Sequence, residues 1–150
     1  MNSLPRIDHL IDLAIEEDAG LGDVTSRAIF SASHQSRGFI DAKQDLVVCG
    51  LGVAMRVFKR VDEALKVAPL AHDGDQVKKG ARVLDVSGPT ASMLTAERTA
   101  LNLMQRMSGI ATLTRSFVDA AAGRITILDT RKTTPTLRAL EKYEIGRAHV

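Results

Sequence analysis

Apolar residues recur at helical spacing over residues 7–17, where Ile7, Leu10, Ile11, Ala14 and Ile15 share one face and Asp8, Asp12 and Glu16 the other. The pattern predicts an amphipathic helix. An acidic, glycine-containing turn follows, Asp18-Ala19-Gly20-Leu21-Gly22-Asp23. It can stop that helix and cap a short second one at Asp23 or Thr25. Its acids are spaced unlike a calcium loop, so capping and solvation are preferred to Mg²⁺ binding. Two short apolar runs, 38–40 and 46–48, flank Lys43-Gln44-Asp45 and predict two strands joined by a turn. Gly50-Leu51-Gly52 then opens a helix over 53–61, with Val53, Val57 and Val61 along one face. Residues 66–89 read as a small β unit. From Thr90 the period is helical again: Leu94, Leu101, Met104 and Met107 form one side, extended by Ala100 and Leu103. Ser108-Gly109 predicts a break there, with a second helix carrying Ile110, Leu113, Phe117 and Ala120 beyond it. Last comes a β-branched run, 125–128, then the polar loop Asp129-Thr130-Arg131-Lys132-Thr133-Thr134, then Pro135 opening a helix. Strand, loop, helix is the first half of a βα unit. Ligands gather at the carboxyl ends of such strands, where Arg131 and Lys132 favour a substrate rich in carboxylate or phosphate.

Composition narrows the function classes. The 150 residues suit one domain or a little more, and 45% hydrophobic content is enough for a core. Aromatics make up 3%, with no Trp, which argues against stacking platforms for single-stranded nucleic acid, and a net charge of +2 is too small for a nucleic-acid binder without a local patch. The single cysteine, Cys49, lies in an apolar run and reads as a buried structural thiol. His9, His34, His72 and His149 are scattered singly, which does not make a zinc site. The start of the chain, Met1 to Arg6, lacks the pattern of a signal peptide, and no run approaches the ~18 apolar residues of a membrane helix. A reducing cytoplasm is the default expectation.

Three features carry weaker chemistry. Gly50-x-Gly52 opening a helix is part of a dinucleotide fingerprint without its third glycine. The pattern from Gly74 to Gly80 resembles the β-hammerhead turn of biotinyl and lipoyl carrier domains, but without their lysine context, and reads as structural. Arg98 borders the Leu94 and Leu101 stripe; by pattern alone such a residue is usually a snorkelling side chain, with a functional role the other reading.

Taken in order, Thr95-Ala96-Glu97-Arg98-Thr99-Ala100-Leu101-Asn102, Ser108-Gly109-Ile110-Ala111-Thr112 and Asp129-Thr130-Arg131-Lys132-Thr133-Thr134-Pro135 resemble the quinolinate phosphoribosyltransferase family, also called nicotinate-nucleotide pyrophosphorylase (carboxylating). The resemblance runs from about Leu10, through Glu17-Asp18 and Gly22-Asp23-Val24-Thr25, to Tyr143. It implies an α+β N-terminal sandwich domain, residues 1–110, followed at 111–143 by the first β/α unit of an incomplete α/β barrel. It implies an enzyme of NAD biosynthesis that converts quinolinate and phosphoribosyl pyrophosphate into nicotinate mononucleotide, pyrophosphate and CO₂, with Mg²⁺, as a homodimer. By the same resemblance Thr130, Arg131 and Lys132 contact substrate, Lys132 is catalytic, and Arg98 reaches the quinolinate of a partner subunit. A molybdenum-linked paralogue of the same fold and a non-catalytic hammerhead-type carrier module are the alternatives. The residues 131–135 together with 137–143 favour quinolinate over the paralogue.

The sequence leaves the family pattern twice. Thr136 stands where the family has glycine, tolerable if it is the second residue of a helix begun at Pro135. After Tyr143 the family pattern gives Ala-Val, but here Glu144-Ile145-Gly146-Arg147-Ala148-His149-Val150 follows, the heptapeptide a common sequencing adapter encodes in one frame. Residues 144–150 are therefore expected to be non-native, and the chain as it stands to be inactive. The strand at 125–128 is then expected to lack barrel neighbours and to expose an apolar edge.

Overall fold

A computed structural model describes residues 7–20 and 22–149. Residues 1–6, which lack a signal-peptide pattern in sequence, Leu21 of the acidic turn and Val150 lie outside the described residues. The elements are α1 (Asp8–Ala19), α2 (Val24–Ile29), β1 (Gln35–Asp41), β2 (Leu46–Val47), α3 (Leu51–Val61), β3 (Lys66–Pro69), β4 (Gln76–Val77), β5 (Arg82–Pro89), α4 (Thr90–Ala121) and α5 (Arg138–Ala148).

A three-stranded antiparallel sheet has the order β1-β5-β3, with Ile40 opposite Leu84 and Val67 opposite Val86. The central strand β5 buries Val83, Leu84 and Val86. These join Val53, Ala54, Val57 and Phe58 of α3 and Met93, Ala96, Ala100, Met104 and Met107 of α4 in one core. The result is a sheet layer against a helix layer, which is how each element hides its apolar face. Helix α1 follows the predicted spacing, and Asp23 caps α2 by accepting from the Ser26 amide at 3.0 Å. The Cys49 thiol is buried, and desolvation drives its pKa up, so it is an inert core group as expected. Gly50 has a φ of 95° and a Cβ there would meet Met107 Sδ at 2.8 Å. The α3 N-terminus is already served by a carboxylate, since the Leu51 amide donates to Asp73 Oδ1 at 2.9 Å. Close packing, not phosphate, accounts for this glycine.

Four expectations change. The runs at 38–40 and 46–48 do form strands, but β1 pairs with β5 while β2 pairs with β4 in a separate two-stranded sheet. The turn between them is tied elsewhere: Asp45 accepts from Lys78 Nζ at 2.7 Å and from the Lys79 amide at 2.9 Å. The break at Ser108-Gly109 does not occur, and α4 runs through it for 32 residues. Ser108 faces inward, where its hydroxyl accepts from the Cys49 amide and donates to the Cys49 carbonyl, both at 3.0 Å, while Gly109 faces open space. A single helical glycine weakens a helix by about 1 kcal/mol without ending it. The apolar residues beyond that point do not turn to the core: Leu113 and Phe117 are exposed.

Residues 125–128 do not form a strand; Ile125 and Leu128 are exposed, as expected of an apolar run without a neighbouring strand. A strand requires a partner edge, and among the described residues none lies beside it. Finally, α5 begins at Arg138 and not at Pro135. Thr136 is in the turn before it with a φ of 70°, so the threonine is not a helical residue but a β-branched one in the left-handed region. Thr136→Gly is therefore expected to raise stability by about 1 kcal/mol, after the larger unfolded-state entropy of glycine is subtracted. Urea unfolding of the two chains measures it, and an unchanged or lower midpoint contradicts the strain.

Candidate active site

Helix α5 lies against α4 through the buried Leu140 and Ala148, and Tyr143 ties it to the α3 N-terminus by donating to Asp73 Oδ2 at 2.8 Å. So anchored, α5 presents Arg138, Glu141 and Lys142 toward the loop at 129–134. Arg138 donates to Thr133 Oγ1 at 3.1 Å and to the Arg131 carbonyl at 3.3 Å. Lys142 Nζ donates to Asp129 Oδ2 at 2.7 Å. Glu141 Oε1 accepts from the Thr134 amide at 3.2 Å and from Arg106 at 2.8 Å. Thr134, through its hydroxyl and its amide, and then Arg106 hold the Glu141 carboxyl below the ordinary glutamate range. Thr130 Oγ1 accepts from the Lys132 amide at 3.2 Å, which closes the tip of the loop on itself.

The consequence is an uneven distribution of charge. Both acids near the loop are spent, Asp129 on Lys142 and Glu141 on Arg106. The side chains of Arg131 and Lys132 are exposed and engage no acid among the described residues. A guanidinium fork can hold a carboxylate by two parallel hydrogen bonds, and an ammonium suits a compact oxygen beside it. Thr130, Arg131 and Lys132 are thus brought together as an anion-binding loop.

Arg98 is not part of that group. It lies on α4, with its side chain 71% exposed, and donates to Asp18 Oδ1 at 2.7 Å. It borders a polar hollow of about 530 Å³ between α4 and the α1–α2 turn, lined also by Asp23, Thr25, Thr95 and Glu97, and by no residue of the loop. Its guanidinium is held outward in solvent, and Asp18 keeps it firmly charged.

Two models of the same family match in succession: quinolinate phosphoribosyl transferase, N-terminal domain, over residues 23–108, and its C-terminal domain over residues 110–148. The chain belongs to the quinolinate phosphoribosyl transferase family. Among curated members, quinolinate phosphoribosyltransferase (decarboxylating) 1b of Nicotiana tabacum is 46% identical over 137 residues, covering 91% of this chain and 39% of that protein. A probable nicotinate-nucleotide pyrophosphorylase (carboxylating) of Bacillus subtilis is 40% identical, covering 97% of this chain and 50% of its own. The crystal structure of NadC from Streptococcus pyogenes superposes with a TM-score of 0.95 at 38% identity, over 99% of this chain and 54% of that one. The nicotinate-nucleotide pyrophosphorylase of Francisella tularensis gives 0.92 at 31%, over 98% and 53%. The chain thus spans about half the length, or less, of these family members. Its fold is the family's α+β N-terminal domain with the start of the barrel domain. The two matches meet inside α4, between residues 108 and 110.

Sequence reading missed the bracing residues. Arg138, Glu141 and Lys142 stand at i, i+3 and i+4, a shared helix face that could have been noticed. Arg106 gave no such sign, because what it touches is 28 and 35 residues away.

Proposed function

We propose that this chain supplies the first substrate-binding loop and the subunit-crossing arginine of a phosphoribosyltransferase that joins quinolinate to phosphoribosyl pyrophosphate, yielding nicotinate mononucleotide, pyrophosphate and CO₂. The observation that carries the reading is the pair of cations, Arg131 and Lys132, that engage no acid among the described residues, while Asp129 on the loop and Glu141 beside it are both paired. Quinolinate has two adjacent carboxylates, which suits a guanidinium and an ammonium side by side. Arg131 takes one carboxylate as a fork. Lys132 contacts the reacting oxygens as a point charge, and Thr130 offers its hydroxyl hydrogen. Ribosyl transfer passes through an oxocarbenium-like state as pyrophosphate leaves, so alignment and charge stabilisation supply most of the rate.

Arg98 completes the constellation from a second copy of the chain. Its exposure and its separation from the loop within one copy support this homodimeric arrangement. Mg²⁺ belongs to the reaction as the companion of phosphoribosyl pyrophosphate. The described residues of this chain do not fit it as ligands: no group of three or more His, Cys, Asp or Glu side chains could hold a metal ion, and Asp129 and Glu141 are committed to cations. Among the described residues no helix is long and apolar enough to cross a membrane. We place the reaction in the cytoplasm, although plant relatives carry chloroplastic or mitochondrial in their names.

The test is direct. The chain continued to the length of its relatives is incubated with quinolinate, phosphoribosyl pyrophosphate and Mg²⁺, and nicotinate mononucleotide is measured. Release of product with CO₂ is expected; its absence from a folded protein removes the reading.

A further inference from the structure

Among the described residues no strand leads into the 129–134 loop. Residues 125–128 before it are unpaired, and Thr136 just after it sits at a φ of 70°, where the chain bends sharply toward α5. Side chains from α4 and α5 reach it and hold it. Two of these meet at one point. Arg106, on α4, donates through a single nitrogen to Thr134 Oγ1 at 2.7 Å and to Glu141 Oε1 at 2.8 Å. Glu141, on α5, accepts the Thr134 amide with that same oxygen at 3.2 Å. Cation, acid and the hydroxyl and amide of one threonine form a closed ring, and the Glu141 side chain is only 14% exposed. Charge-assisted hydrogen bonds are the stronger kind, and partial burial limits their screening by salt.

We infer that Arg106 and Glu141 are positioning residues that grip Thr134 and thereby fix where Arg131 and Lys132 stand when a pyridine dicarboxylate binds. The inference rests on the function proposed above. Thr134 is two residues from Lys132 and three from Arg131, close enough for its placement to be passed along the backbone. Arg138 holds the Arg131 carbonyl from the other side, so the two cations hang between two fixed points. The clamp differs from a plain staple between α4 and α5, because a staple needs Arg106 and Glu141 but not Thr134.

That difference makes it testable. In the chain continued to the length of its relatives, Arg106→Lys, Glu141→Gln and Thr134→Val are each expected to raise KM for quinolinate about tenfold. KM for phosphoribosyl pyrophosphate should move less than about twofold, and the Arg106→Lys/Glu141→Gln double variant should be no worse than the more impaired single. A fall in melting temperature with KM for quinolinate unchanged assigns the pair to helix docking and overturns the inference; so does Thr134→Val with wild-type KM. Amide exchange in the 150-residue chain gives a readout free of catalysis. The Thr134 amide is expected to exchange at least about tenfold faster in Glu141→Ala than in wild type, with Glu141→Gln restoring most of the protection. Equal exchange in wild type and Glu141→Ala overturns the clamp. If the lengthened wild type makes no nicotinate mononucleotide, the functional reading fails, while the exchange experiment still decides whether the clamp exists.

Discussion

Glu144→Ala is expected to stabilise the chain by about 2–3 kcal/mol at pH 8 and to change little at pH 4. Glu144 lies on the inner face of α5 with no exposed surface, and neither carboxylate oxygen has a hydrogen-bond partner among the described residues. Burial pushes its pKa up to about 7; Arg106 pulls against that and Glu141 adds to it. Between the ordinary glutamate value and 7 the folded chain therefore holds a proton that the unfolded chain has released. Stability is full below that window and falls as pH rises through it. Above about 8 the charged group costs its whole desolvation penalty, less whatever local opening and water entry recover. Urea unfolding at both pH values measures the difference between wild type and variant. A difference between wild type and variant that is the same at pH 4 and pH 8 contradicts the burial argument.

Arg98→Ala and Arg131→Ala subunits of the lengthened protein, each alone, are expected to lose about 10²–10³-fold in kcat/KM for quinolinate. That is the ~3–4 kcal/mol scale of removing a cation that pairs with a desolvated carboxylate. Co-refolded in equal amounts, they should recover about a quarter of wild-type activity. The arithmetic follows from two-fold symmetry: half of the dimers are mixed, and in each of these one site receives Arg131 from one copy and Arg98 from the other, both intact. The second site of a mixed dimer lacks both. The recovery depends on Arg98 crossing between copies, which its place beside Asp18, away from the loop of its own copy, favours. If the mixture stays as inactive as its parts while both fold and dimerise, Arg98 serves its own subunit or none. Arg131→Lys alone should recover little, because an ammonium cannot reproduce the fork.

What could be read from sequence was what repeats locally. The helical periods over 7–17 and 53–61, the cap at Asp23 and the buried Cys49 depend on neighbours a few residues away, and the structure has all of them. The pairing of β1 and β2 was not legible, because the turn between them answers to Lys78 and Lys79, more than thirty residues on. Ser108-Gly109 was misread for a related reason. Two weak helix formers in a row suggest a break only if the serine hydroxyl competes with its own helix, and here the Cys49 backbone occupies it. At the site, the cations at 131 and 132 were plain from type and position. Arg106, Glu141 and the left-handed backbone at Thr136 were not, since each depends on how α4 and α5 come together.

The unbroken α4 has a bearing on evolution within the family. It carries Arg98 and Arg106 on one rod, eight residues and about 12 Å apart, both inside the N-terminal family match, and runs on past the boundary where the two matches meet. A rod of this kind behaves as a phase gauge. Substitutions along it are tolerable wherever volume permits, but a single inserted or deleted residue between the two arginines would turn one relative to the other by about 100°. The length of this segment, more than its composition, sets how the two arginines face relative to each other.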